Sequence, residues 1–248
     1  MHMLRSRPLR DRLALSPFWL VAALVALHLS ALLMKHLLGV TDQQPWRFFH
    51  HQFNLDRELN IATWVATLLL ATAAALLLIN AVEQRLTAQR GWRHWGGLGM
   101  IFLLLSLDEM CSFHERLSDP IRGALDADGG LFTNAWVLLA APAVLALLIA
   151  YLPFLWRLPA ASRWRFIVAA VVFVSGAVGV ELFSGAVRDR FGFEDFRFAL
   201  ITTLEELLEL VGVALFLRAL VLHMAAAEVV PRLVAAAGGG TAGPDAAE

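Results

Sequence analysis

An all-helical bundle of six membrane-crossing helices, with both chain ends on the cytoplasmic side, is the fold class that three observations predict. First, 59% of the 248 residues are hydrophobic and only 17% are charged, against about 25% charged in a soluble domain. Second, the apolar residues fall into six runs, each about 20 residues or longer, which is the length needed to cross a bilayer core. Third, the arginines alternate along the chain. The N-terminal segment and the connections at 83–93 and 157–165 hold ten Arg against Asp11 and Glu83, whereas 40–60, 116–130 and 188–197 hold seven Arg against nine acids. By the positive-inside rule the first set is cytoplasmic.

The composition excludes other classes. No basic cluster exceeds what short cytoplasmic connections require, so no nucleic-acid partner is implied, and membrane lipids are the expected surroundings. Cys111 is the single cysteine, which rules out an internal disulfide and a cysteine-rich metal motif.

Taken in order, residues 1–12 form a basic cytoplasmic segment, and 13–224 form the bundle. Leu13 to about Leu38 is the first span, too long for a signal peptide's apolar region and lacking a small-residue cleavage site after it. It carries His28, Lys35 and His36. Residues 40–60 are a polar connection, Ile61 to about Val82 is the second span, and the third runs from about Trp95 to Glu115. Residues 116–130 read as a loop with Pro120 and a Gly-Gly pair as turn signals. Leu131 to about Leu155 is the fourth span, with a bend expected at Pro142 because proline removes a backbone donor. The fifth, Trp164 to about Val187, carries Gly176, Gly179 and Gly185, small residues that let helices approach closely. The sixth spans Phe198 to about Met224. The remaining 225–248 form a cytoplasmic tail whose Ala- and Gly-rich part, from about 232, reads as disordered.

Against this background the acids stand out. The third span ends in SLDEMCSFHERL, the fifth carries Glu181 near its end, and the sixth carries Glu205, Glu206 and Glu209 near its start. Given the alternating topology, all lie in the outer leaflet, roughly 9 to 16 Å below its surface at about 1.5 Å per residue. Three acids turned to lipid would cost on the order of 8 to 10 kcal/mol, so the stripe formed by Glu205, Glu206 and Glu209 must face something polar. On the third span Asp108, Ser112 and Glu115 share a stripe, with Glu109 and His114 to either side. Asp56 and Glu58, just ahead of the second span, are possible outer contributors, although first-turn acids are also favoured by a helix dipole alone. His50 and His51 are further possible contributors that equally suit an interfacial loop.

Carboxylates gathered in a low-dielectric layer need protons or a cation. The expected metal set is Asp108, His114, Glu115, Glu181, Glu205, Glu206 and Glu209. Mixed imidazole and carboxylate ligands suit Zn, Fe or Mn better than Ca or Mg. The Glu-x-x-His pairs of di-iron bundles are absent from the sequence, so a mononuclear or irregular binuclear centre is the expected form. Glu109 and Asp108 are the expected catalytic carboxylates, with Glu109 as general base.

The blocks FNLDRELNIATW and SLDEMCSFHERL resemble those of a group of uncharacterised bacterial multi-pass membrane proteins sharing an LDxExNxxTW-like stretch before one span and an SLDExxSxHE-like stretch at the end of the next. The resemblance covers roughly residues 53 to 117, brings no known activity, and implies that Asp56, Glu58, Asn60, Asp108, Glu109, His114 and Glu115 form a set; the bacterial inner membrane is the expected location. Two functions fit. One is a divalent-metal-dependent membrane enzyme, a hydrolase or oxidoreductase, acting on a lipid or lipid-linked substrate. The other is a proton or cation translocator using the same acids. A structural membrane subunit would leave the acids unexplained.

Overall fold

The computed structural model describes residues 7–39, 43–126 and 129–238, and among these every regular element is helical. Ten α-helices follow in order: α1 (Arg7–Leu38), α2 (Trp46–Phe53), α3 (Ile61–Leu86), α4 (Trp92–Cys111), α5 (Phe113–Leu125), α6 (Val137–Arg157), α7 (Ala160–Val174), α8 (Glu181–Phe191), α9 (Phe196–Ala226) and α10 (Val229–Gly238). A short 3-10 turn at Gly130–Phe132 precedes α6, and a π-helical segment, Ser175–Val180, joins α7 to α8. Among the described residues five helices, with Ala160–Phe191 counted as one, are long and apolar enough to cross a membrane, or six if the bent pair α4 and α5 counts as one.

The bundle is built around α9, which packs against α1, α3, α7, α8 and the π segment. Its most apolar stretch is 56% buried within the protein, whereas that of α6, at the periphery, is 11% buried. Leu210, Val213, Ala214, Leu217 and Leu220 of α9 meet Leu69, Leu70, Ala73 and Leu77 of α3, with Val21 and Leu24 of α1 and Trp95 of α4 completing the core. Glycine makes the closest approach possible. A Cβ on Gly212 would lie 2.7 Å from the backbone of Phe173, and one on Gly176 would lie 2.8 Å from the carbonyl oxygen of Glu205.

Local chemistry fixes the helix starts at one end of the bundle. Asn60 caps α3: its Oδ1 accepts from the Thr63 N–H at 2.9 Å, while its Nδ2 donates to the carbonyls of Asn54 at 2.7 Å and His51 at 3.0 Å. Asp195 caps α9 through the Arg197 N–H at 2.8 Å. His28, 2% exposed, ties three segments together. Its Nδ1 meets the Leu55 N–H and the Phe53 carbonyl, each at 3.2 Å, and its Nε2 is hydrogen-bonded with Thr203 Oγ1 at 2.8 Å. The 54–60 segment is thereby pinned to α1 and α9.

Several expected boundaries are corrected. The third apolar run does not continue as one helix to Glu115. It breaks at Ser112, and α5 leaves at 80°, so 116–130 is largely helix rather than loop. The 40–60 connection contains α2, an amphipathic segment with no structure-breaking residue inside it. The fourth apolar run forms α6, which starts at Val137, after the 3-10 turn, and passes through Pro142 and Pro153 as a single helix. The fifth extends from Ala160 to Phe191 by way of the π segment. Glu83 lies inside α3, 2% exposed, because α10 packs against that end of α3. Residues 232–238, assigned to a disordered tail by composition, belong to α10. Residues 1–6 of the basic segment, Asp128 of the 116–130 connection and residues 239–248 of the tail lie outside the described residues.

Candidate functional site

The break at Ser112 organises the site. Ser112 has φ 52 and ψ 42, and its N–H donates to the Asp108 carbonyl at 2.7 Å, which ends α4. The first turn of α5 then needs acceptors for its N–H groups, and the Asp108 carboxylate supplies them. Its Oδ1 accepts from the His114 N–H at 3.0 Å, and its Oδ2 accepts from His114 Nδ1 at 2.7 Å. One carboxylate therefore caps α5 and orients the imidazole.

The next contacts run towards α8. The His114 ring lies 4.7 Å, centroid to centroid, from the Trp136 indole. Trp136 Nε1–H donates to Glu181 Oε1 at 3.0 Å. Asn134 Nδ2 donates to the Glu181 carbonyl at 3.0 Å, and Ser184 Oγ donates to that same carbonyl at 3.0 Å. Trp136 is held in turn by Ser118, whose Oγ accepts its N–H at 3.3 Å. Residues 129–136 thus clasp α5 to α8, helped by Arg122 donating to the Thr133 carbonyl at 2.7 Å and by Gly130 N–H donating to Asp189 at 3.0 Å.

The acids of α9 divide between two neighbourhoods. Glu205, 7% exposed, has Glu181 and Ser184 of α8 as neighbours, and its Oε2 is buried without a hydrogen-bond partner. Glu206 and Glu209 turn instead to a small cavity shared with Glu109 of α4, walled by Ala66, Leu69, Leu70, Phe173, Leu210 and Val213. Its volume, measured for the centre of a water-sized sphere, is about 20 Å³, room for about one water. The expected single stripe is corrected accordingly: a step of 100° separates Glu205 from Glu206 on the helix, enough to send them to different neighbours.

At the rim, burial raises the pKa of the Glu58 carboxylate, with the neighbouring Ser112 hydroxyl opposing. Asp56 is accessible at the surface yet crowded by protein atoms. That crowding and the charges of Glu115 and Glu181 push its carboxyl up to about 7, with Arg188 and Arg57 opposing. Glu115 is exposed on α5 and leaves the stripe it was expected to share with Asp108 and Ser112, because the backbone turns at Ser112. His50 does not join the acids. It lies among Lys35, Arg57 and Glu194, where burial and the Lys35 charge lower its pKa. His51 is exposed, with Gln52 as its neighbour at 3.4 Å.

Among the described residues no three His, Cys, Asp or Glu side chains are gathered as ligands for one metal ion. The pair at the centre is instead an imidazole held by a carboxylate, which can give or take a proton. Sequence reasoning missed Trp136, Asn134 and Ser184, which connect His114 to Glu181. An asparagine and a tryptophan at the mouth of an apolar run read as interfacial residues. Only the adjacent polar Thr133 and Asn134 mark the place.

A family model described as Domain of unknown function (DUF8692) matches residues 18–224. No curated protein and no solved structure matches the chain.

Proposed function

We propose, for a chain that belongs to the DUF8692 family, that it is a multi-pass protein of the bacterial inner membrane and an enzyme acting on a lipid or lipid-linked substrate from the outer face. The Asp108–His114 pair carries the proposal. A carboxylate that binds Nδ1–H fixes the tautomer and direction of the ring, leaving Nε2 to exchange a proton with a substrate. Trp136 and Glu181 extend that arrangement into the bundle, and the acids around it belong to one end of the helices. The long apolar helices and the arginine distribution support the membrane assignment, with termini cytoplasmic and the acidic end outside. A reporter fused after Met224 is expected inside and one inserted near Asp126 outside.

An enzyme open at one face is better supported than a translocator. From Glu209 to His223, roughly 21 Å along α9, the buried residues are Leu210, Gly212, Val213, Ala214, Phe216, Leu217, Ala219 and Leu220. That stretch of α9 offers a proton or cation no buried polar side chain. A divalent metal, Zn, Fe or Mn before Ca or Mg, would take His114 Nε2, since metal-bound histidines commonly present their other nitrogen to a carboxylate.

The test is protein reconstituted in vesicles of bacterial lipid, with release of headgroups and acyl chains followed by mass spectrometry. Asp108→Asn and His114→Ala are expected to lower turnover by about 10²- to 10⁴-fold. Turnover equal in all three proteins would overturn the proposal, as would proton flux lost in Glu209→Gln without any lipid conversion. Stoichiometric metal in the wild type, lost in His114→Ala, would make Nε2 a ligand.

A further inference from the structure

Residues 188–197, at the turn from α8 to α9, hold three arginines, three exposed phenylalanines and three acids. Each acid is already engaged. The Asp189 carboxylate accepts the Gly130 N–H at 3.0 Å, Glu194 pairs with Lys35 at 2.6 Å, and Asp195 accepts the Arg197 N–H at 2.8 Å. The guanidinium groups are left to aromatic rings. Arg190 and Arg197 both stand over Phe191, 5.2 and 4.5 Å from its centre, and Arg188 stands 5.0 Å from the centre of Phe193. Among the described residues none of these three guanidinium groups has a hydrogen bond or an ion pair. A ring face attracts a guanidinium, yet it leaves the N–H donors, which point outward in the plane of the group, without a protein acceptor. Two like charges gathered on one ring also repel one another. An anion between them would relieve both conditions.

The turn is tied to the site already described. Ser184 and Glu181 precede Arg188 by about one and two helical turns, which sets all three on one face of α8, with Arg188 about 10 Å beyond Glu181 along the axis. The Asp189–Gly130 hydrogen bond joins the turn to the 129–136 segment that carries Trp136. Phe193 is 65% exposed, and Phe191 and Phe196 are exposed near it, an apolar patch set among cations, as a surface that meets lipid requires. We propose that this turn binds the phosphate of an anionic lipid headgroup, with Arg188, Arg190 and Arg197 as donors and the exposed phenylalanines seated among the neighbouring lipids. The inference rests on the membrane reading above and names the lipid class that the Asp108–His114 site receives. The planar fork of a guanidinium matches two oxygens of a phosphate. Held there, the phosphate is a handle that orients the lipid and is not itself the reacting group.

The test is chemical labelling of the full-length protein in maltoside micelles, which carry no phosphate. Phenylglyoxal modifies free guanidinium groups, and its sites are mapped by mass spectrometry while phosphatidylglycerol is added. At a lipid concentration ten times that of half-saturation, labelling of Arg188, Arg190 and Arg197 is expected to slow by about 10-fold. Arg157, exposed and without a ring beneath it, is the reference in the same digest. In Arg190→Gln with Arg197→Gln, protection of Arg188 should require about 25-fold more lipid, at about fivefold for each arginine lost. Equal slowing at Arg157, or protection of Arg188 unchanged in the double variant, would overturn the site, leaving general adsorption of an anionic lipid. Equal protection by diacylglycerol of the same chains would show that the phosphate is not recognised, and equal protection by inorganic phosphate would show that the lipid is not; either result overturns the proposal. Protection without lipid turnover in the vesicle experiment keeps the headgroup site and removes the enzyme reading. His114-dependent turnover without protection does the reverse.

Discussion

Replacing Gly212 by alanine is the sharpest test of how the bundle is assembled. The added Cβ would lie 2.7 Å from the Cα, Cβ and N of Phe173 on α7, a distance that real Cβ contacts do not reach. Two of the three atoms are backbone, so no rotamer change relieves the clash and the helices must separate. Overpacking of a filled interior typically costs about 1 to 3 kcal/mol, and the backbone clash places this site in the upper part of that range. Alanine recovers about 1 kcal/mol of helix propensity relative to glycine, leaving a net loss of about 1 to 2 kcal/mol. Gly123 in α5 supplies the control, because a Cβ there meets nothing within 4 Å, and Gly123→Ala should gain about 0.5 to 1 kcal/mol. Equilibrium unfolding in mixed micelles, read by circular dichroism, gives both signs in one experiment. A Gly212→Ala protein as stable as Gly123→Ala would refute the close α7–α9 packing, and with it the position of Phe173 beside Glu109, Glu206 and Glu209.

Two further outcomes concern the rim. Asp56, with its pKa pushed up to about 7, holds its proton in the folded state where the unfolded chain has already lost it. Its contribution is fully present below about 4 and is lost as pH rises through about 7. Wild type should therefore lose stability relative to Asp56→Asn between pH 5 and pH 8, and parallel unfolding midpoints across that range would show that burial and the charges of Glu115 and Glu181 do not raise the Asp56 pKa. Asn60→Ala removes a helix cap and leaves the Asn54 and His51 carbonyls without their donor, an expected loss of about 2 to 4 kcal/mol. A loss under about 0.5 kcal/mol in the same unfolding assay would mean that the 54–60 loop is held by other contacts.

The helical class and the gathering of acids at one end could be read from the sequence, because hydrophobic runs and charge placement are long-range signals that survive local irregularity. Local geometry could not. Nothing in CSFHE announces a break, since neither glycine nor proline is present, and the turn depends on Asp108 reaching forward to the His114 N–H. The division of Glu205 from Glu206 and Glu209 depends on which helices lie beside α9, and a helical wheel does not contain that information. Trp136 joins the site through its indole N–H while its ring faces His114, and composition credits only the ring. Glu83 reads as a loop acid because α10, which covers it, follows a short turn after the last apolar run.

The π segment before Glu181 sets the phase of everything that follows it. A wide turn accommodates one more residue than an α-turn does, so α8 emerges rotated by about 100° from the course an uninterrupted helix would give it. Glu181 meets Trp136 and Glu205, and Ser184 meets Asn134, in that rotated frame. Removing one residue from Ser175–Val180 would leave the composition and hydropathy of the helix almost unchanged. It would nevertheless aim the whole face bearing Glu181, Ser184 and Arg188 elsewhere. The site is thus specified partly by counting, in a stretch whose side chains are small and apolar.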